Sequence, residues 1–298
     1  MDAAPAPAPA PMLADVVAVL DGLYPPSTAE GWDAVGLVAG DPAAPVRKVL
    51  FAVDPVADVV DEAVEWGADL VVTHHPLFLR GVHSVAATTF KGTVVHRLLA
   101  AGCALHVAHT NADAAPRGVA DALADLLGIT GRRPLVAHDG DEDRGIGRVG
   151  RLAAPTTLGD FARHVAEVLP ATAQGVRLAG DPDATVATVA VVGGSGDSLF
   201  DAVRAAAADV YVTADLRHHP ASELRERALF EARRPGSDGP TTPATPYLVD
   251  VAHFASEWPW LSYAAKDLVE RLPEGTVTTR VSTRGTDPWT ARVASPGR

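Results

Sequence analysis

Gly67-Ala68-Asp69-Leu70-Val71-Val72-Thr73-His74-His75-Pro76 is the stretch on which the fold turns. Its centre is a short unbroken apolar run, as in a strand covered on both faces. The segment before it, from about Pro55 to Trp66, places Val56, Val59, Val60, Ala63 and Val64 at helical spacing. Pro55 suits a first turn and Gly67 a helix end. The run stops at Thr73, and Pro76 removes a backbone donor and stiffens the exit.

Outward from this point the pattern continues as alternating strands and helices. A helix is expected at Leu13–Leu23, stopped by Pro25-Pro26, and a strand at Val49–Val53. Downstream, a helix is expected over Thr93–Ala101, a strand at Ala104–Ala108, and a helix at Val119–Leu127 closed by Gly128. Such alternation implies βαβ units with right-handed crossovers. The polar stretch Thr130–Gly145 reads as a loop. A helix is expected near Leu158–Leu169.

The opening stretch then has an echo. Ala207-Ala208-Asp209-Val210-Tyr211-Val212-Thr213 also follows a helical segment (Asp197–Ala208), passes through Ala-Asp, runs apolar and stops at Thr. A strand at Val189–Val192 precedes it. The fold class expected is therefore α/β: two related α/β halves with mostly parallel sheets, and a metal site at the strand C-terminal ends between the halves. The expected organisation is a disordered Pro/Ala tail at 1–11, a first half at 12–130, a middle connecting segment at 131–184, a second half at 185–284 and a C-terminal tail at 285–298.

Composition narrows the function. The 298 residues are 47% apolar and 21% charged, normal for a globular chain, and the net charge is −12. That charge repels phosphate backbones and anionic lipid, which argues against nucleic-acid or membrane partners. A small anionic substrate remains compatible, because bound metal ions invert the local charge. The single cysteine, Cys103, sits in an apolar run and reads as a buried small hydrophobe; with no internal disulfide, a cytoplasmic setting is expected.

Three strand ends carry candidate ligands. Adjacent His74 and His75 leave a buried strand in different directions, so each can serve a different ion. His109-Thr110-Asn111-Ala112-Asp113 offers His109 and Asp113. Asp250-Val251-Ala252-His253-Phe254-Ala255-Ser256-Glu257 offers His253 and Glu257. Each taken singly also has a plain structural explanation, as a solvated strand end or a helix cap. Together, His74, His75, Asp113, His253 and Glu257 suit a site with two divalent ions about 3.5–4 Å apart. Asp250, Thr110 and His109 read as partners that orient ligands. Because of Pro259, a helix near Glu257 is expected to start no earlier than about Ala255. Lys91, Arg217, His218 and His219 are further site candidates; Trp32-Asp33 reads either as site lining or as a packed Trp. Gly193-Gly194-Ser195-Gly196 reads as a tight strand-to-helix turn.

Several motifs together resemble the Nif-three-like family, often called GTP cyclohydrolase 1 type 2 homologs. They are Trp32-Asp33-Ala34-Val35-Gly36-Leu37, Thr73-His74-His75-Pro76-Leu77-Phe78, His109 to Ala115, Asp209 to Asp215, and Asp250 to Glu257. The resemblance implies two divalent ions per chain (Zn, Fe or Mn) held by His74, His75, Asp113 and His253, with Glu257 bridging. It also implies a ring-like homohexamer whose sites face an internal cavity. Two departures touch backbone rather than ligands: Ala214 and Ala252 stand where the family usually has Gly. The function expected is a metal-dependent hydrolase acting on an unidentified small substrate, a nucleotide or phosphoester among the candidates. The alternative is a non-catalytic metal-binding or assembly protein acting through a ring-shaped oligomer.

Overall fold

A computed structural model describes residues 9–138, 141–233 and 242–295. Residues 1–8 of the expected Pro/Ala tail and the last three of the C-terminal tail lie outside the described residues. In chain order the elements begin with α1 (Leu13–Leu23), β1 (Gly36–Ala39), β2 (Lys48–Ala52), α2 (Ala57–Trp66), β3 (Leu70–Thr73), α3 (Phe90–Ala100), β4 (Ala104–Val107), α4 (Thr110–Ala114) and α5 (Val119–Leu126). There follow β5 (Ile129–His138), β6 (Asp141–Thr157), α6 (Leu158–Val168), β7 (Arg177–Ala179), β8 (Thr185–Ser195), α7 (Phe200–Ala205), β9 (Val210–Ala214) and α8 (His218–Glu231). The chain closes with β10 (Tyr247–Val251), α9 (His253–Glu257), α10 (Trp260–Arg271) and β11 (Thr278–Val281). No described helix is long and apolar enough to cross a membrane.

The protein is α/β and divides into two compact units. The first takes the described residues up to Gly118 together with Leu261–Thr286; the second takes Val119–Trp260 and the described residues from Asp287 onward. The first unit holds a five-stranded sheet in the order β1-β4-β3-β2-β11, parallel except for the edge strand β1. Leu70, Val71, Val72 and Thr73 are all buried, as a central parallel strand requires. Leu50, Val71 and Leu105 pack with Val59, Val60 and Ala63 of α2 and Val94, Val95 and Leu98 of α3. Thr89 caps α3 by accepting from the Gly92 amide, and Gly92 is required there because a Cβ would lie 1.9 Å from the Ala86 carbonyl oxygen. Cys103 lies in this core, and burial pushes its thiol up to about 12, consistent with an inert hydrophobe.

The second unit holds a six-stranded sheet in the order β5-β6-β8-β9-β10-β7. It is mixed: β8, β9 and β10 run parallel, while β5, β6 and β7 join antiparallel. The stretch Thr130–Gly145, expected as a loop, instead supplies β5 and the start of β6. Its polarity reflects position: β5 is the sheet's edge strand, where Thr130 and Arg133 are exposed and Arg132 pairs with Asp121 and Asp125, while Leu135 turns to the core. Helix α8 had no counterpart among the expected elements, because it buries only Leu224 and Ala228 and carries almost no apolar stripe.

The echo in the sequence is a repeat of backbone frame. In each unit a helix, an antiparallel edge strand and three parallel strands follow in the same order: α1-β1-β2-α2-β3-α3-β4-α4 and α6-β7-β8-α7-β9-α8-β10-α9. The second copy thus takes in α6 and β7, from residues 158–184. Asp69 accepts from the amides of Arg47 and Lys48, and Asp209 accepts from those of Ala187 and Thr188. Gly40-Asp41-Pro42 and Gly180-Asp181-Pro182 form matching turns in which the glycine has φ of 133° and 143°. At each, a Cβ would strike the first residue of the third parallel strand, Ala104 at 2.5 Å and Tyr247 at 2.3 Å.

Candidate metal centre

In the first unit, the ends of β3 and β4 bring three imidazoles together. One ring nitrogen from each of His74, His75 and His109 lies within 4.8 Å of one from each of the others. His74 is buried, and His75 and His109 are half-buried. Each ring engages an oxygen at Nδ1: His74 the Ala108 carbonyl oxygen at 3.0 Å, His75 the Asp54 carboxylate at 2.7 Å, and His109 the Asp33 carboxylate at 2.8 Å. An acceptor at Nδ1 fixes the hydrogen there and presents Nε2 as a lone pair, the state in which histidine binds a metal. Asp113, in α4, places Oδ1 3.8 Å from His74 Nε2.

The loop before β1 braces this corner. Asp33 takes hydrogen bonds from His109, from the Thr110 amide and hydroxyl, and from the Ala34 amide. Burial pushes its carboxyl up, but the bonds from His109 and Thr110 outweigh burial and hold it well below the usual carboxylate range. Asn111 accepts from the His109 amide and donates to the Tyr24 carbonyl, so it caps the turn rather than facing the histidines. Trp32 is 59% exposed and stands edge-on to His109 with ring centroids 6.0 Å apart, so it is no packed core residue.

The second unit contributes its own pair. His253 opens α9 and Glu257 ends it, with His253 Nε2 2.9 Å from Glu257 Oε1. Helix α9 therefore starts earlier than the sequence suggested. Pro259 does not sit in its first turn; α9 stops at Glu257, before the missing donor matters, and α10 begins at Trp260. His253 Nδ1 is 2.7 Å from Asp215, which holds a left-handed φ of 54° just after β9, a conformation Asp tolerates. Asp250 accepts from the Leu216 amide and from Arg177, which steadies the turn carrying Asp215.

Gly194 makes room for this pair. Its φ is 68°, and a Cβ there would lie 2.6 Å from Glu257 Oε1 and 3.1 Å from His253 Nε2. Its amide donates to Ser256 Oγ at 2.8 Å. Of the expected strand-to-helix turn at 193–196 only Gly196 lies in the turn, because β8 runs on to Ser195; Gly194 sits at a register irregularity near the strand's end, where it leaves clearance for His253 and Glu257. The alanines at 214 and 252 lie in ordinary backbone, Ala214 within β9 and Ala252 at φ −72°, so the two departures add no strain.

Other sequence candidates take other roles. Arg217 pairs with Asp197 and is exposed, Lys91 lies over the rings of Phe78 and Phe90, and His218 and His219 pack edge to face on each other at the exposed start of α8. The sequence offers His109 both as a donor and as an orienting partner; its meeting with His74 and His75 depends on β3 and β4 being adjacent and in register, Thr73 opposite Val107.

The sequence profile of Duf34/NIF3 (NGG1p interacting factor 3) matches residues 11–288. The chain belongs to the DUF34/NIF3 family. A Streptomyces coelicolor relative named "GTP cyclohydrolase 1 type 2 homolog" is 55% identical over 289 residues, covering 96% of each chain. A Mycobacterium tuberculosis protein of the same name is 37% identical, covering 93% of this chain and 96% of that one. Among solved structures, a Bacillus cereus protein related to NIF3 shares the fold with a TM-score of 0.81 at 22% identity, over 95% of this chain and 99% of that one. A Staphylococcus aureus hypothetical protein aligns with a TM-score of 0.79 at 26% identity, over 94% and 99%.

Proposed function

We propose that this family member is a metal-dependent hydrolase that holds two divalent ions with His74, His75, Asp113, His253 and Glu257. One observation carries the reading: His74, His75 and His253 all engage an oxygen through Nδ1. That arrangement is what metal-binding histidines require, and a carboxylate stands near a ring nitrogen in each unit, Asp113 in the first and Glu257 in the second. Imidazole and carboxylate donors suit Zn, Fe or Mn. When bound, such ions supply Lewis acidity and a nucleophilic water at neutral pH. The chain's own residues fix ring orientation through Asp54 and Asp215 and hold open the space at Gly194.

The substrate on this reading is a small molecule with a phosphoester, cyclic amide or purine-like ring. The relatives' name makes GTP the first compound to test. The absence of a disulfide partner for Cys103 supports a cytoplasmic setting, and the family resemblance supports a homohexamer. A second reading, an assembly role for a metal-binding oligomer, draws on Leu79, Val82, Val85 and Phe90, which expose apolar side chains in and after the loop that follows His75.

The test is metal content by elemental mass spectrometry on protein purified without chelator, wild type against Glu257→Ala, with folding checked by circular dichroism. About two ions per chain in wild type, falling by half or more in the variant, is the expected result; absence of metal after reconstitution with Zn, Mn and Fe would sink the reading. Turnover of nucleotides and phosphoesters by the loaded protein then separates the hydrolase from the assembly role.

A further inference from the structure

We propose that a pocket inside the second unit, between α8 and the strands β7 and β10, binds a small organic anion with an apolar body, and that Arg225 receives its charged group. None of the residues lining this pocket is among the donors proposed for the metal centre, and the inference does not depend on that centre.

Comparison of the two units brings the pocket out. In the first, Val94, Val95 and Leu98 of α3 pack with Leu105 of β4, and Val38 of β1 packs against them, so that corner is core. The helix at the same place in the second unit, α8, buries only Leu224 and Ala228. His218, Ala221, Ser222 and Arg225, three and four residues apart, share one side of α8. Their small or polar side chains leave a cavity of about 420 Å³ over Leu248 of β10 and Leu178 and Ala179 of β7. Small-molecule sites occupy about 300–1,000 Å³ and combine an apolar surface with a few convergent polar groups, as this one does.

Charge selects the ligand. Arg225 is half-buried, and its guanidinium carbon lies 4.9 Å from the centre of the Tyr247 ring. Its Nη1 donates to the carbonyl oxygens of Ala244 and Pro246, which fixes the guanidinium plane. Among the described residues nothing accepts from Nε or Nη2, and no carboxylate pairs with this arginine. Burial lowers its pKa, and Tyr247 and Glu226 offset only part of that, so a bound anion would relieve a cost that the fold leaves standing. The edge formed by Nε and Nη2 matches two oxygens of a carboxylate or a phosphate monoester through parallel hydrogen bonds. The pocket's other arginine, Arg177, sits beside Asp250, three residues further along β10 than Tyr247, and is neutralised by it. The uncompensated positive charge is therefore at the Arg225 end, in a chain whose net charge is −12.

The test is titration calorimetry of the full chain with three probes of similar phenylalkyl body: phenylpropionate, phenylethyl phosphate and phenylpropanol. Saturable binding of at least one anion, tighter than the alcohol by about tenfold or more, is the expected result, and the ratio of the two anions tells a carboxylate site from a phosphate site. Arg225→Gln should remove most of the preference for the anion. Ser222→Phe, at an exposed position that leaves Arg225 and its bonds in place, should fill the cavity and weaken the anions by about tenfold or more; it carries the test if Arg225→Gln fails to fold. The proposal is overturned if no probe binds saturably, if the alcohol binds as well as the anions, or if Ser222→Phe binds the anions as wild type does. Anion binding that vanishes when metal is stripped with a chelator, the protein remaining folded, would place the anion on a metal ion and also overturn it.

Discussion

The two units share a frame and differ in what they hang on it. In the first, the turn after the middle parallel strand reads Thr73-His74-His75; at the same place in the frame the second reads Thr213-Ala214-Asp215. Position 75 is a histidine anchored by an aspartate, and position 215 is an aspartate anchoring a histidine. After the third strand, α4 presents Asp113 and α9 presents Glu257, each on a five-residue helix. The frame contacts at Asp69 and Asp209, and at Gly40 and Gly180, are in contrast the same. Backbone scaffolding was kept in both copies while the donor positions diverged, so chemistry is a property of the strand ends rather than of the fold.

The strongest way to break that comparison is to remove the shared aspartates. Each accepts two backbone amides that would otherwise start neighbouring strands without partners. At about 1.5–3 kcal/mol for a hydrogen bond to a charged group, Asp69→Ala and Asp209→Ala should each lower stability by about 3 kcal/mol. Urea unfolding measures both. Equal losses support one frame used twice; a loss in one variant less than half that in the other would mean that the two turns only look alike.

The next effects fall on the donor positions and should not be equal. Gly194→Ala forces a methyl against Glu257 and His253 at a left-handed φ, and its counterpart in the frame, Asp54, anchors His75. Zinc titration calorimetry should show a loss of about tenfold or more for Gly194→Ala, and ten- to hundredfold for Asp54→Asn. Asp215→Asn should cost less than about tenfold, because that pair is the more exposed and water competes for it. Wild-type zinc binding by Gly194→Ala would remove Glu257 from the ligand set.

Much of this was legible in the sequence because it depends on local pattern. The apolar run at Leu70–Thr73 and its echo at Val210–Thr213 mark the fold directly, and the polar residues after each strand mark the proposed donors. Three features were not. The edge strand β5 and the start of β6, which pairs only with it, are polar, so composition imitates a loop. The second copy's start at α6 and β7 is hidden because what it shares with α1 and β1 is mostly hydrogen bonding, apart from the short Gly-Asp-Pro turn. His109 needs strand order: nothing in residues 104–113 says that β4 lies beside β3, and only that pairing sets His109 near His74 and His75.

The smallest prediction is the sharpest for the comparison, because its sign must reverse across the frame. Gly67 and Ala207 occupy the same helix-ending position, with φ of 69° and 51°. Glycine adopts this left-handed backbone freely, while a Cβ there costs about 1–2 kcal/mol. Little crowding complicates the exchange at Gly67, since a Cβ there would come only to 3.9 Å from Lys48 Nζ. Gly67→Ala should therefore destabilise by about 1 kcal/mol and Ala207→Gly should stabilise by about 0.5–1 kcal/mol, the latter partly offset by the greater freedom of glycine in the unfolded chain. Both are measured as shifts in the urea midpoint at unchanged slope. Two changes of the same sign would mean that the turns, though matched in φ, are held by different surroundings, and the repeat would then be a likeness of path rather than of energetics.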